Sequence, residues 1–148
     1  MINTETSSAW LVRDSALQPT NLVYLCPMEI KIILTLIATH FVADFLCQTD
    51  KMALNKSKSI YWLTIHVLAY TAILLIASAF LFFSLGWKTI FIYALANGAL
   101  HWITDFFTSK LTTKLWQSES KHWFFVAVGA DQMIHYFCLM ITCNYLVQ

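Results

Sequence analysis

The sequence predicts an all-α protein, a four-helix transmembrane bundle. Three observations predict it. Only 11% of the 148 residues are charged and 59% are apolar, whereas a soluble domain carries about a quarter charged residues. Four segments approach the roughly 20 apolar residues that a helix needs to cross about 30 Å of hydrocarbon. Those segments also carry His and Asp at i, i+4 spacing, which keeps them on one helical face.

Residues 1–27, ending in YLCP, are polar and read as a weakly ordered tail. They lack the basic start and apolar centre of a signal peptide. Cys26 follows the bulky Leu25, so it does not read as a lipidation site. Met28 opens MEIKIILTLI, which reads as an alternative start, so the transmembrane domain is taken as 28–148. The four cysteines show no C-x-x-C pair and no disulfide framework. A formal net charge of +1 offers no basic stripe for nucleic acid.

The spans fall at about 30–47, 60–85, 89–108 and 123–146. The second, IYWLTIHVLAYTAILLIASAFLFFSL, contains no Lys, Arg, Asp or Glu. Trp87 and Tyr145 lie at one expected interface, and Tyr61, Trp62 and Trp123 at the other. The 49–59 and 109–122 loops hold Lys51, Lys56, Lys58, Lys110, Lys114 and Lys121, against Arg13, Lys31 and Lys88 on the opposite side. That bias makes the two loops cytoplasmic. Within the second loop, KLTTKLWQ suits either a short interfacial helix or an ordinary solvated loop.

The first span ends in HFVADFLCQ, with His40, Asp44 and Gln48 on one stripe. The third reads NGALHWITDFF, with Asn97, His101 and Asp105 at the same spacing. HFVADF and HWITDF are 61 residues apart, as are Trp62 and Trp123, which suggests a duplicated two-helix hairpin. The fourth span carries Asp131, Gln132 and His135 in reversed order, and the second contributes His66. Measured from the lysine-rich boundary, His40 and His101 come out at about 12 Å, Asp44 and Asp105 at about 6 Å and His66 at about 8 Å. Asp131 comes out near 13 Å and His135 near 20 Å.

Three Asp facing lipid would cost on the order of 8–10 kcal/mol, so these side chains are expected to face inward and converge. Small residues on spans three and four permit close helix approach. Imidazole and carboxylate are ligands for zinc, manganese or iron, and no Lys or Arg is expected at this depth. The candidate metal ligands are therefore His40, Asp44, His66, His101, Asp105, Asp131 and His135. His66 alone would read equally well as a hydrogen-bonded interior residue. Gln48, Asn97 and Gln132 suit an outer shell, either around one ion or around two. The competing reading is a His–Asp network that fixes helix register without metal. Cys138 reads as an inert buried thiol, and Asp50 and His122 as solvated.

H-x-x-x-D-F-x-x-Q, the early His66, H-x-x-x-D and D-Q-x-x-H together resemble a family of small bacterial and phage integral membrane proteins known as a domain of unknown function. The resemblance covers about residues 28–146. It implies a bacterial inner-membrane protein, and the family is in turn distantly similar to membrane-bound metal-dependent hydrolases. The expected function is thus an intramembrane divalent-metal site, with hydrolysis of a lipid-like substrate and Asp105 as general base. The alternative is a non-enzymatic ion or proton pathway, or an envelope-interaction factor with a structural cluster. The bilayer is the expected partner, and the sequence leaves room for a homo-oligomer.

Overall fold

The computed structural model describes residues 29–146, so the tail, Arg13, Cys26 and the Met28 start lie outside the described residues. Helix α1 spans Ile30–Phe41 and continues into a π turn, Val42–Leu46. Helix α2, Asp50–Asn55, is capped by Thr49, whose hydroxyl accepts from the Met52 amide. Helix α3 covers Ile60–Leu81 and ends in a 3-10 turn, Phe83–Leu85. Gly86, at φ 82°, then reverses the chain, a conformation that glycine adopts without strain. Helix α4 runs Trp87–Gln117 and α5 runs Lys121–Leu146.

The third span was expected to stop near residue 108, but α4 continues for 31 residues, about 46 Å. SKLTTKLWQ contains neither Gly nor Pro, so nothing ends the helix before Ser118 and the positive-φ Glu119. The KLTTKLWQ stretch is therefore the last two turns of α4, neither a separate interfacial helix nor a loop. The 49–59 loop likewise contains α2.

Among the described residues, only α3 and α5 are long and apolar enough to cross a membrane by length and composition, against the four spans expected. Helix α1 has 12 regular residues, and α4 carries Asn97, His101, Asp105 and several threonines along its middle. Those polar groups turn inward. Asn97, His101 and Asp105 are buried, as are His40, Asp44, His66 and His135. Large apolar side chains point outward, among them Phe80 at 85% exposure, Phe83 at 70% and Phe125 at 66%. A soluble protein rarely shows so much contiguous apolar surface.

Helix α4 is central, packing along both α3 and α5, while α1 leans mainly on α3. One end of the interior is apolar: Leu36, Leu74, Phe82, Ile90, Tyr93 and Leu139 form its core. The other end holds the polar cluster. Many hydroxyls are satisfied within their own helices, as Thr71 to Val67 O (2.7 Å), Ser78 to Leu74 O (2.6 Å) and Thr112 to Thr108 O (2.9 Å) show. This back-bonding removes their need for water.

The α3–α4 crossing depends on Gly98. A Cβ there would run into Thr71 Oγ1 and lie 3.3 Å from both Thr71 Cβ and Cγ2. Gly98→Ala is expected to lower stability by about 1–3 kcal/mol through overpacking. Adding Thr71→Ala should recover part of the loss. Thermal unfolding of the single and double variants in detergent checks this, and equal midpoints for Gly98→Ala and wild type would refute it.

Candidate metal centre

The polar ends of α1, α3, α4 and α5 meet around two carboxylates. Asp44 sits inside the π turn, a rare distortion that often accompanies functional sites. Its Oδ1 lies 3.0 Å from His66 Nε2 and 3.5 Å from His101 Nε2. Asp105 Oδ2 lies 3.4 Å from His66 Nε2 and 3.7 Å from His101 Nε2. The two imidazole Nε2 atoms are 3.2 Å apart. One ligand atom from each of Asp44, His66, His101 and Asp105 therefore falls within 4.8 Å of all the others.

These separations match a coordination cage. Ligands about 2.0–2.2 Å from a tetrahedral ion lie roughly 3.3–3.6 Å from one another. The five separations given above run from 3.0 to 3.7 Å. Asp44 Oδ1 is buried and makes no hydrogen bond of its own, although two imidazoles face it. Two Nε2 atoms and two carboxylate oxygens converging on one point suit a shared cation, because both imidazoles can then present lone pairs.

A second group extends the first. Asp105 turns Oδ1 toward His135 Nε2, at 3.3 Å, and His135 Nε2 lies 3.4 Å from Asp131 Oδ1. Asp105, Asp131 and His135 again have ligand atoms within 4.8 Å of one another, so Asp105 belongs to both groups. Asp131 Oδ1 is the other buried carboxylate oxygen without a hydrogen bond. The imidazoles are held by ring stacking: Tyr70 on His101 at 4.0 Å and His101 on His135 at 4.1 Å.

The expected depths need correction here. With α4 ending at Gln117 and α5 starting at Lys121, Asp105 is about 18 Å from that turn, between Asp131 at about 15 Å and His135 at about 21 Å. That is why Asp105 meets both. Asp131 was expected level with His40 and His101, but it pairs with His135 and Gln132.

His40 stands one layer out. Gln132 Nε2 donates to Asp44 Oδ2 and to Asp131 Oδ2, both at 3.1 Å, so its Oε1 must accept, and His40 Nε2 is 3.0 Å away. His40 Nδ1 is then left to accept from Tyr70 Oη at 3.3 Å. With both nitrogens engaged, His40 belongs to neither ligand group. Gln132 thus ties His40, Asp44 and Asp131 together. Asn97 does not join them: it bonds Tyr93 O and Thr142 Oγ1, away from the cluster, because its amide faces α5 beyond His101. Gln48 borders the adjoining cavity with Oε1 buried and unbonded. Cys138 enters neither group.

Lys56 was missed altogether. From the end of α2 its Nζ reaches Asp105 Oδ2 at 2.8 Å, where no basic residue was expected. Nothing periodic links the two, which are 49 residues apart. The one available signal was the excess of buried carboxylates, which calls for a cation. Tyr70 was more legible, because it lies four residues after His66 on the same stripe. Burial alone would push the Lys56 ammonium down, but Asp105, Asp44 and Asp131 outweigh it and hold the group above its ordinary value.

A family model described as "Protein of unknown function (DUF3307)" matches residues 32–148, and the chain belongs to that family. No curated protein and no solved structure matches the chain.

Breaking a buried ion pair from one side costs about 3 kcal/mol or more, so Lys56→Met should be clearly destabilised at neutral pH. The folded-state pKa lies above the unfolded value near 10.5. The stabilisation from Lys56 is therefore fully present below that unfolded value and disappears as pH rises through the folded one. Unfolding midpoints of wild type and variant should converge in strong alkali. A gap independent of pH would count against the pairing.

Proposed function

We propose that this DUF3307 protein is an integral membrane protein whose bundle binds a divalent metal ion through Asp44, His66, His101 and Asp105. The observation that carries the reading is the convergence of those four ligand atoms within 4.8 Å. Charge supports it. Asp44, Asp105 and Asp131 bring three negative charges and Lys56 one positive, so with neutral imidazoles one divalent ion completes the balance. A net charge left in a low-dielectric interior would be expensive.

The membrane reading rests on the outward apolar and inward polar side chains and on the two span-length helices. Among the described residues, Lys31 and Lys88 lie toward one end of the bundle and six lysines in the segments at the other, a bias that supports a cytoplasmic mouth for the site in a bacterial inner membrane.

Hydrolysis of a lipid-like substrate is the activity such a centre serves best. A zinc, manganese or iron ion held there supplies Lewis acidity and a water of lowered pKa. The protein's own groups do the rest. A cavity of about 520 Å³ opens beside Asp44, Asp105 and Asp131 and gives access from the loop side. Asp105 was expected as the base, but Lys56 and His135 occupy its two oxygens. Asp131, 14% exposed at the cavity and outside the first ligand group, is better placed to take the proton.

The second reading is a metal-free His–Asp–Lys network that fixes helix register. The Lys56–Asp105 pair and the Gln132 bridge to His40 and Asp44 favour it. An ion or proton route has less support, because beyond the cluster the interior becomes Leu36, Leu74, Ile90 and Leu139.

Metal analysis of the detergent-purified chain separates the readings. Wild type should carry about one zinc or manganese per chain, and His66→Ala and Asp44→Asn should carry none. His40→Ala should still bind, about tenfold or more weakly, as outer-shell changes do. Folded wild type that stays metal-free after incubation with either ion would leave the structural network as the explanation.

A further inference from the structure

The cavity beside the cluster is lined by side chains of both kinds. Lys56 and Lys58 from the α2 side, Ser109 and Thr112 from α4 and the carboxylates of Asp44, Asp105 and Asp131 are polar. Phe45, Leu54 and Val128 are apolar. Its volume of about 520 Å³ is that of a small-molecule site.

Ser109 marks the cavity as a built site. The residue is only 7% exposed, and its hydroxyl is buried without a hydrogen-bond partner. The neighbouring hydroxyls differ: Thr108 donates to Thr104 O at 3.0 Å and Thr112 to Thr108 O at 2.9 Å. Ser109 thus keeps its donor unspent, beside a cavity, at the price of desolvation. A phosphate oxygen can accept from such a hydroxyl and from a lysine ammonium, which donates and cannot accept.

We propose that this cavity receives the phosphate group of an amphiphile, with the phosphate against the metal centre, Ser109 and the two lysines, and the apolar chain along Phe45, Leu54 and Val128. The inference rests on the metal reading. Without an ion, three carboxylates outweigh two lysines and the cavity repels anions. With one divalent ion, the lining becomes net positive and admits one. A phosphate monoester carries enough oxygens to meet the ion, the Ser109 hydroxyl and a lysine together, where a carboxylate has two. The apolar lining is superfluous for free phosphate and fitting for a lipid.

The test uses the full chain in detergent micelles loaded with manganese, with 31P relaxation of two probes, dihexanoyl phosphatidate and inorganic phosphate. Bound manganese is measured separately by electron paramagnetic resonance. The expected result is strong relaxation enhancement of phosphatidate and weak enhancement of inorganic phosphate. Ser109→Ala and Lys58→Ala should each weaken phosphatidate binding about fivefold, the size of one hydrogen bond or partly exposed ion pair, with manganese content unchanged. Bound manganese with no enhancement of either probe would overturn this inference and leave the metal centre standing. Equal enhancement of both probes would overturn the amphiphile and retain a soluble phosphate ligand. Failure to bind manganese would overturn the metal reading and this inference with it.

Discussion

Two buried carboxylates organise this bundle. Asp44 and Asp105 are 4% and 1% exposed, and a carboxylate so placed needs positive charge or several donors around it. Helices α2 to α5 each supply something to that need. Helix α3 brings His66, α4 brings His101, α5 brings His135 and Gln132, and the short α2 brings Lys56. Remove the carboxylates and there is no reason for these polar side chains to share one depth in an otherwise apolar structure.

Much of that arrangement was legible in the sequence. The i, i+4 spacing of His40 with Asp44, His101 with Asp105 and Asp131 with His135 fixes each pair on a helical face whatever the tertiary packing. Burial cost then forces the faces inward, and of these six side chains five are buried and Asp131 is partly so. Gln132 was found for the same reason, because a residue adjacent to Asp131 can reach both halves of the cluster.

What was misread depends on contacts that spacing does not encode. Helix α4 was cut short because hydropathy falls after Thr108, although a helix ends where its backbone is interrupted, and that is at Ser118. The depth of Asp105 was misplaced by that same extension, about 6 Å expected against about 18 Å, whereas Asp131 moved only from about 13 Å to about 15 Å. Lys56 sits in a segment whose composition says only that it is polar, and its entry into the cluster follows from the turn made by α2. Asn97 shares the His101 face but, one turn further on, meets Thr142 before it meets any ligand. His40 was legible as buried but not as an outer residue, since that role is set by Gln132 and Tyr70.

The π turn at Val42–Leu46 gives the cluster an uneven frame. Helices α3, α4 and α5 carry their imidazoles on unbroken α-helix, while Asp44 rides on a widened turn closed by the Cys47 amide to Val42 O at 2.9 Å. Of the four side chains grouped around one point, His66, His101 and Asp105 stand on regular helix and Asp44 stands on the π turn. In such a frame, fitting an ion of larger or smaller radius would fall on one carboxylate rather than on the spacing of the whole bundle.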